Sequence, residues 1–517
     1  MSLVGVDIGS SRCKAAVYSL DGSLIASAVA SYNVEHREPG CFELDCHAVE
    51  NAVYAVIRTA ADRSRWPQKH IHDQVRGITF SSFGEAVVPI SAKGEILGTS
   101  IFSHDERRKD ALRNFEQLGQ DRFFRINGNI LGYSYTYPKL VWYQENAPAL
   151  YGNVWKFLLW ADFMVYRLTG IATTNYSLAS RTLLFDLWKE QWSDELLEAG
   201  HVEKRALADL VAPGIALGVV KHDMANLLGL PDTTMVASAL HDQAANAVGA
   251  GALDGGSSVT GIGTVECTTV VFDHIPDPAY LLDLNIGIEH HVVPGRYVSF
   301  IYNQAGALMT WFLKTFCNEL LAQGLEESHI FDLLRSEAPC APGSTVFLPF
   351  IEPGGAPSFL EAQNGCFLGI GATTTRGALY RAVLEGETMY FLDAFRRLAA
   401  KGLGIQALTA TGGGNRDDLW LQIKADILQL GIRRARYREA GTAGAAMVAG
   451  VACGDYSSYQ QAASNFKGTG TEISPQADHR TTYGNLYRLY QAGMELIQSD
   501  PWTDIKHKIN QEKEGIV

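Results

Sequence analysis

The sequence predicts an α/β fold built from two large domains. At 517 residues the chain is too long for one hydrophobic core, and a composition that is 47% hydrophobic supplies apolar mass for two. Two strand-like segments, residues 4–18 and 258–270, are each interrupted by glycine and hydroxyl residues and then resume. Because one hairpin begins the chain and the other lies near its midpoint, two related halves are the simplest account.

Composition excludes several classes of protein. The formal net charge of −13 argues against nucleic acid as the principal partner. The eight cysteines are scattered without a Cys-x-x-Cys pair or a zinc-like spacing, so we expect reduced thiols. No signal peptide precedes the first strand and no apolar run reaches membrane-spanning length, so we expect a cytoplasmic protein with no membrane partner.

In the first half, predicted strands and helices alternate. A helix is expected over residues 48–61 and a buried strand over residues 75–80, which ends in the polar turn 81–85. In an α/β sheet, such a turn at the carboxyl end of a strand is where ligands bind. The remaining predictions are a strand at 87–90, a helix beginning at 103–108, an amphipathic helix within 133–145 and a helix over 155–169.

The most informative single side chain is Asp242. It lies between His241 and Gln243 at the end of a strand-like run, and a helix of small residues is expected over 244–252. A lone Asp before a helix is commonly just its N-cap. The glycine hairpin that follows favours a catalytic carboxylate, because glycine lets backbone N–H groups approach a phosphate and hydroxyls add donors.

The second half repeats the alternation and adds a third glycine turn. The turn, residues 412–415, connects a predicted strand at 407–411 to a helix at 419–430 and is suited to seating a nucleoside at a helix N-terminus. The other predicted elements are a strand at 297–302, a helix opening at 303–307, a strand at 345–350, a long helix over 374–403 and a helix over 441–450.

Together, the three turns and the carboxylate indicate phosphoryl transfer. The first two turns would grip a polyphosphate. Asp242 would take the proton from an attacking hydroxyl, and Asp7 would orient a metal ion. This chemistry needs little beyond positioning and stabilisation of charge.

Five segments, in this order and spacing, resemble the FGGY-type carbohydrate kinases of the sugar kinase, Hsp70 and actin superfamily. They are residues 7–14, 134–146, 241–243, 365–385, and 412–414 with the helix 443–449. The resemblance implies two ribonuclease H-like domains with a hinged cleft between them. It places an N-terminal, sugar-side domain at 1–248, a C-terminal, ATP-side domain at 249–500 and a tail at 501–517.

The resemblance also implies roles for individual residues, with a small sugar as substrate and ATP and Mg²⁺ as cofactors. Asp242 is the general base, Gln243 contacts the sugar, and Asp7 and Asp242 face the magnesium. Further residues match nucleotide-binding positions: Ser10, Ser11 and Lys14 in the first phosphate loop, Gly263 and Thr264 in the second, Gly306 and Thr310 lining the nucleotide site, and Gly413, Gly414 and Asp417 on the adenosine side.

The sequence departs from the family where the sugar is recognised. Relatives often carry Gln-Met-His-Gly or Gln-Arg-Glu where this chain has residues 82–85. The candidate sugar contacts are Ser82, Phe83, Gly84, Glu85 and Asp105. We expect Glu85 to be an unpaired carboxylate that accepts hydrogen bonds from sugar hydroxyls and repels an acidic sugar. We therefore expect a neutral sugar, and the resemblance to the xylulose-type, fuculose and rhamnulose branches of the family implies a ketose, either a pentulose such as xylulose or ribulose, or a deoxyhexulose such as fuculose or rhamnulose.

Three alternatives stay open at this point. A polyol kinase of the glycerol or erythritol type would use the same chemistry. A sensor could bind sugar and nucleotide without turnover, and a chaperone or filament protein could share the fold, although a chaperone has no need of Asp242 beside Gln243. The oligomeric state is undetermined, with a homodimer left open.

Overall fold

The computed structural model describes residues 1–65, 75–360, 365–437, 439–466, 470–499 and 501–502, so most of the predicted tail at 501–517 lies outside the described residues. Strands and helices alternate along the described chain, as an α/β fold requires. The strands are β1 (Ser2–Ile8), β2 (Arg12–Ser19), β3 (Leu24–Ser31), β4 (Val34–Glu38), β5 (Cys41–Leu44), β6 (Val75–Ser82), β7 (Val87–Ile90), β8 (Ser100–Ile101), β9 (Lys156–Leu159), β10 (Thr173–Asn175), β11 (Phe185–Asp186), β12 (Gln191–Trp192), β13 (Asp209–Val211), β14 (Ala216–Val219), β15 (Met235–Ala237), β16 (Leu240–His241), β17 (Ser257–Ile262), β18 (Val265–Phe272), β19 (Glu289–His290), β20 (Tyr297–Gln304), β21 (Val346–Leu348), β22 (Cys366–Leu368), β23 (Ala407–Gly412), β24 (Ile432–Arg434) and β25 (Glu472–Ile473).

The α-helices follow the same chain order. They are α1 (Cys46–Arg65), α2 (Arg113–Glu116), α3 (Gln120–Asn127), α4 (Thr136–Asn146), α5 (Pro148–Asn153), α6 (Trp160–Thr169), α7 (Tyr176–Ala179), α8 (Asp194–Ala199), α9 (His222–Leu228), α10 (Asp242–Gly249), α11 (Pro278–Asp283), α12 (Gly306–Phe316), α13 (Asn318–Ala322), α14 (Glu327–Glu337), α15 (Arg376–Ala400), α16 (Asp418–Leu428), α17 (Ala440–Ala452), α18 (Tyr459–Asn465) and α19 (Arg480–Ile497). No helix in these described ranges combines the length and the apolar character that crossing a membrane would demand.

The chain divides into two compact units, each drawn from separate stretches of sequence. The first unit takes residues 1–259, 269–300 and 435–469, and the second takes 260–268, 301–434 and 470–517. The first unit therefore includes α17, which follows most of the second unit in the sequence. The domain boundary at residue 248 stays a prediction.

The sheet of the first unit has the strand order β14-β15-β6-β1-β2-β3, with β16 also paired to β6. The predicted first hairpin is confirmed, because β1 and β2 pair antiparallel with Ile8 opposite Cys13. Strands β1 and β16 both run parallel to β6, so that Asp7 and Leu240 each lie opposite Ser81. The carboxyl ends of three parallel strands therefore meet at one edge of the sheet.

Helix α17 packs closely on this sheet and on α10 through glycine. A Cβ atom at Gly5 of β1 would lie 1.8 Å from the carbonyl oxygen of Thr442. A Cβ at Gly444 would lie 1.9 Å from the oxygen of Ala245, and one at Gly249 would lie 1.9 Å from that of Ala440. The backbones approach to distances that any larger residue would prevent.

The second large sheet has the strand order β19-β20-β18-β17-β23-β24-β25. Strands β23 and β24 run parallel, as expected for strands joined through a helix, here α16. Gly412, at the end of β23, has a positive φ of 80°, and a Cβ there would lie 2.6 Å from the oxygen of Ile262. The third glycine turn is thus confirmed as a strand-to-helix junction.

Two local predictions in the first unit are wrong. Residues 156–159 are not helical but form β9, which pairs antiparallel with β7, and the helix begins only at Trp160. Residues 103–108 do not begin a helix, since the first helical turn is Lys109–Leu112. Within residues 103–108, Asp105 Oδ1 accepts a hydrogen bond from the backbone N–H of Arg107 at 2.9 Å, which stabilises a non-helical turn.

Candidate active site

Asp7 lies at the carboxyl end of β1 and is held by its neighbour on β6. The Ser81 hydroxyl donates a hydrogen bond to Asp7 Oδ1 at 2.7 Å. Burial raises the pKa of Asp7, and the Ser81 hydrogen bond opposes that rise. The strand register thus fixes this carboxylate at the edge where β1, β6 and β16 end.

Asp242 begins α10 at the same edge. The N-cap position belongs to His241, which makes no side-chain cap hydrogen bond, so the simple N-cap interpretation of Asp242 is wrong. The Asp242 side chain is 29% exposed, and His241 Nε2 lies 3.3 Å from its Oδ1. Partial burial, followed by the negative charges of Asp7 and Glu85, raises the pKa of Asp242 to about 8. Burial and the charge of Arg181 lower the pKa of His241 to about 3, so this imidazole is neutral.

Glu85 is buried and paired, contrary to expectation. Arg181 Nε donates to Glu85 Oε1 at 2.9 Å, and Arg181 Nη1 donates to Glu289 Oε1 at 2.7 Å. Burial on its own would raise the pKa of Glu85, but the charge and the hydrogen bonds of Arg181, together with other nearby groups, outweigh burial and lower that pKa. The prediction of an unpaired Glu85 carboxylate is wrong because Arg181, 96 positions away in sequence, neutralises it.

Other groups hold Arg181 and its surroundings in place. Its guanidinium carbon lies 4.5 Å from the centroid of the Tyr135 ring. A Cβ on Gly84 would lie 2.5 Å from Arg181 Cγ and 3.0 Å from a ring carbon of His241. Only glycine at position 84 therefore leaves room for these two side chains to pack against the backbone there. Lys139 is also buried there, its ammonium donating to the oxygens of Ser134 at 2.7 Å and Tyr135 at 2.8 Å. Burial lowers the pKa of Lys139 to about 7.

The remaining predicted sugar contacts occupy varied positions. The Ser82 hydroxyl accepts a hydrogen bond from the backbone N–H of Ala161 at 3.1 Å. Phe83 is buried and packs edge-to-face on Phe102. Asp105 is also buried, with Oδ2 accepting from the backbone of Phe42 at 2.7 Å and from Arg107. Gln243 is half-buried beside Asp242. Direct sugar contact by these residues stays a prediction.

The turn of the first hairpin is exposed. Ser10 and Ser11 face solvent, and the Gly9 backbone N–H donates to the oxygen of Arg12 at 3.0 Å. Lys14, two residues after the exposed Arg12 that begins β2, forms an ion pair with Glu439. The hydroxyls of Ser10 and Ser11 are therefore open to a phosphate, while the Gly9 N–H and the Lys14 ammonium already have partners.

In the second unit, the second phosphate turn contacts the start of α12. The backbone N–H of Gly306 donates to the oxygen of Gly263 at 2.9 Å, and that of Ala305 donates to the oxygen of Thr264 at 3.1 Å. A Cβ on Gly306 would lie 2.7 Å from the same Gly263 oxygen. Thr310 lies one turn further along and donates its hydroxyl to the oxygen of Gly306 at 3.1 Å.

The third glycine turn contacts the same hairpin. A Cβ on Gly414 would lie 2.3 Å from a methyl carbon of Ile262, and Gly413 is less crowded. Asp417 caps α16, its Oδ1 accepting from the backbone of Trp420 at 3.0 Å while Oδ2 accepts from Arg335 at 3.1 Å. Three segments that the sequence predicts to bind nucleotide are thus adjacent within this unit, and Asp417 contributes the structural cap.

Sequence reasoning missed three residues of the first-unit site: Ser81, Arg181 and Glu289. Ser81 was part of the predicted polar turn but actually lies within β6, directly opposite Asp7. Arg181 is a lone cation in an aromatic and aliphatic stretch, and a charge in such a setting signals a buried partner. No local pattern identifies which carboxylates those partners are.

The α/β fold, together with the site features of the two units, defines a class of enzyme, the phosphotransferases. The first unit has carboxylates at a sheet edge, and the second has adjoining glycine turns at strand ends and helix starts. Residues 2–249 match the N-terminal domain of the FGGY family of carbohydrate kinases, and residues 262–453 match its C-terminal domain. The chain belongs to the FGGY family of carbohydrate kinases, which confirms the resemblance and the α/β fold expected from it.

The chain is similar over nearly its whole length to curated sugar kinases. It is 25% identical to the xylulose kinase of Staphylococcus xylosus, over 95% of this chain and 99% of the relative. It is 29% identical to the L-fuculokinase of Salmonella typhi, over 80% of this chain and 87% of that protein. Among solved structures, the xylulose kinase of Rhodospirillum rubrum matches with a TM-score of 0.86 at 24% identity, covering 96% of this chain and 99% of the other, and shows the shared fold.

Proposed function

We propose that the protein transfers the terminal phosphate of ATP to a hydroxyl of a neutral ketose, with Asp242 as the general base. The observation that carries the proposal is the position of Asp242, partly exposed and next to Asp7 at the edge where three parallel strands end. Ligands bind at this edge in α/β sheets. A carboxylate there can accept the proton of a hydroxyl as that hydroxyl attacks phosphorus.

The charges around Asp242 favour a neutral substrate. Arg181 balances one of the two carboxylates it contacts, Glu85 and Glu289, so this group of three retains a negative charge. Asp7 adds a further carboxylate and His241 is neutral, whereas Asp242, whose pKa is raised to about 8, is negatively charged only in the deprotonated form that acts as the base. A sugar acid would add another like charge to a partly dehydrated site, which is costly. The argument against an acidic sugar therefore rests on the whole cluster rather than on Glu85 alone.

The relatives support a ketose within the neutral sugars. Xylulose kinases of Staphylococcus xylosus and Bacillus subtilis, and the L-fuculokinase of Salmonella typhi, align with most of this chain. We therefore place xylulose and fuculose first among the candidates. Polyols such as glycerol and erythritol come next, because they share the neutral hydroxyl chemistry.

The residues present fit the Mg²⁺ that the family implies. Among the described residues no group of three or more His, Cys, Asp or Glu side chains is arranged to hold a metal. Asp7 and Asp242 are close enough for the charge of Asp7 to raise the pKa of Asp242, and paired carboxylates are suitable hard ligands. Mg²⁺ is commonly bound by one or two carboxylates together with substrate phosphates and water. When bound, Mg²⁺ neutralises charge on the phosphates.

The chain's own side chains position Asp7, bind the phosphates and form the wall of the site. Ser81 holds Asp7 in position by its hydrogen bond. The exposed hydroxyls of Ser10 and Ser11 are donors suited to phosphate oxygens, whereas the backbone N–H groups of Gly9 and Gly306 already donate within the chain and instead fix the shape of their turns. Gly84 admits His241 and Arg181 beside Glu85, which fixes the wall next to the general base.

Asp242→Asn tests the proposal. We expect sugar-dependent ADP formation to fall about 10²–10⁴-fold, because an amide cannot accept the proton, while ADP binding measured by calorimetry stays near that of the wild type. The substrates to compare are xylulose, ribulose, fuculose, rhamnulose, glycerol, erythritol and gluconate.

Asp223→Asn is the matched control. Asp223 also lies in the first turn of a helix, α9, but is exposed, so turnover should be unchanged. A variant at Asp242 with most of its turnover would remove Asp242 from the mechanism, and a wild-type preference for gluconate would overturn the neutral-sugar assignment. Absence of turnover with every neutral sugar, despite binding, would favour the sensor.

A further inference from the structure

A buried charge cluster lies behind the nucleotide turns of the second unit. Lys424 Nζ, on α16, lies 2.8 Å from Glu266 Oε2 on β18 and 2.8 Å from Glu387 Oε2 on α15. The three side chains are 1%, 2% and 0% exposed. We call Glu266, Lys424 and Glu387 the buried triad.

The buried triad is connected to the second phosphate turn. Glu266 follows Thr264 by two residues, and its Oε1 accepts a hydrogen bond from Thr260 at 2.6 Å. Thr268 in turn donates its hydroxyl to that of Thr260 at 2.9 Å. The Glu266 carboxylate on β18 therefore connects to β17, and these are the two strands that flank the Gly263–Thr264 turn.

The buried triad is also connected to the third glycine turn. Trp420 Nε1 donates to Glu387 Oε2 at 3.3 Å, and Lys424 lies one helical turn further along α16. A Cβ on Gly414 would lie 3.4 Å from the Trp420 ring, so that ring forms the floor of the turn. The buried triad thus includes a residue of β18, which follows the second phosphate turn, and contacts Trp420 of α16, which follows the third glycine turn.

Burying three charged groups carries a large desolvation penalty. Removing one member of a buried ion pair leaves an uncompensated charge, whereas an apolar replacement of the whole group is often neutral or stabilising. Burial, followed by the negative charge of Glu266, raises the pKa of Glu387 to about 8, so at neutral pH one proton and the Lys424 ammonium balance the two carboxyl groups. The buried triad therefore carries no net charge, but by itself it contributes little to the free energy of unfolding.

We propose that Glu266 and Lys424 are positioning residues for the nucleotide, and that they hold the second phosphate turn and the third glycine turn at the spacing a nucleotide requires. The inference rests on the proposed function, in which these turns bind ATP. Neither residue touches the nucleotide. Each acts through the backbone it holds, so its loss should weaken nucleotide binding and leave the sugar side unaffected.

The test measures the Kd for ADP by calorimetry, the KM values for ATP and sugar, and Tm. In Glu266→Gln and Lys424→Met the ionic contact is lost, and we expect the Kd for ADP and the KM for ATP to rise about tenfold or more. The KM for sugar should stay within about twofold of the wild type, because no residue of the triad belongs to the first unit.

Glu385→Gln is the matched control. Glu385 is a buried carboxylate on α15, the helix of Glu387; it pairs with Arg381 at 2.7 Å and accepts from the Tyr483 hydroxyl at 2.9 Å, and neither partner lies in a glycine turn. We expect it to lower Tm and to leave the Kd for ADP within about twofold of the wild type. A Glu266→Gln protein that binds ADP like the wild type, or a Glu385→Gln protein that binds it as weakly as Glu266→Gln, would overturn the inference.

Two further variants keep the outcome decisive. If the charge variants fail to fold, Thr260→Val removes only the hydroxyl that binds Glu266, and an unchanged Kd for ADP in that variant overturns the inference. Gly306→Ala reports on the proposed nucleotide site itself. If Gly306→Ala leaves ADP binding intact, the proposed site is wrong, whereas weaker binding in Gly306→Ala with normal binding in Glu266→Gln contradicts only the positioning role.

Discussion

Arg181 Nε lies 2.9 Å from Glu85 Oε1, although the two residues are 96 positions apart in the chain. The same guanidinium reaches Glu289, so a single cation crosslinks the turn after β6, the segment after α7 and strand β19. The wall beside the general base is therefore set by a buried ionic contact. Buried contacts of this kind are strongly coupled to both stability and geometry.

Arg181→Met should lower both stability and sugar affinity. Two buried carboxylates would lose their cation, so the free energy of unfolding should fall by about 3–5 kcal/mol, and kcat/KM for the sugar should fall while the KM for ATP changes little. Denaturant unfolding and steady-state kinetics measure both effects. Arg122→Met is the control, because its ion pair with Glu195 is exposed and worth about 1 kcal/mol or less. Equal losses in the two variants would contradict a special role for Arg181.

Gly306→Ala should raise the KM for ATP. The added methyl group would lie 2.7 Å from the Gly263 oxygen and push the second phosphate turn out of place. Overpacking of this kind costs about 1–3 kcal/mol, which corresponds to a rise of roughly 5- to 150-fold if it falls wholly on nucleotide binding. Gly371→Ala, where no atom lies within 4 Å of the new Cβ, should leave the KM for ATP unchanged.

Gly444→Ala should destabilise the protein, and Gly484→Ala should not. Both glycines lie within helices, α17 and α19, where alanine is the better helix former by about 1 kcal/mol. At Gly444 the new Cβ would lie 1.9 Å from the oxygen of Ala245, whereas at Gly484 no atom lies within 4 Å. We expect a clear fall in Tm for Gly444→Ala and an unchanged or higher Tm for Gly484→Ala. A higher Tm for both would mean that α10 and α17 can separate at little cost.

Asp162→Asn should change how stability depends on pH. Asp162 is buried, and burial raises the pKa of its carboxyl group well above the ordinary value, a rise that the neighbouring Thr174 opposes. Its folded form therefore keeps a proton that the unfolded chain releases above about pH 4. Stability from this group is greatest at low pH and is lost as pH rises towards the folded pKa.

The measurement compares Tm of the wild type and Asp162→Asn at pH 5 and pH 8. The amide does not titrate, so the variant should gain stability relative to the wild type as pH rises, by up to about 1.4 kcal/mol per pH unit. Parallel pH profiles would contradict a proton on Asp162 in the folded state.

The sequence predicts those parts of the fold and site that depend on neighbouring residues. The hairpin of β1 and β2, the strand and helix on either side of Asp242, and the third glycine turn all follow from local alternation and turn residues. Each of these signals lies within about ten residues, so no tertiary contact is needed to recognise it.

The missed features depend on contacts distant in sequence. The sequence predicts that residues 156–159 belong to a helix. They form β9 instead, because they pair with β7, which lies about 70 residues earlier. The partner of Glu85 could not be identified for the same reason. Opposite charges 96 positions apart carry no sign of their pairing until the chain is folded.

The packing of α17 has a consequence for how this protein is made. Gly5, at the start of the chain, is covered by Thr442 of a helix that leaves the ribosome more than 430 residues later. Until that helix emerges, one face of the first sheet and the small-residue side of α10 remain exposed. A fragment ending after residue 300 should therefore aggregate or be degraded, and addition of residues 435–466 in trans or by fusion should rescue it. The first unit therefore cannot complete its core during synthesis until the segment that carries α17 and α18 has emerged.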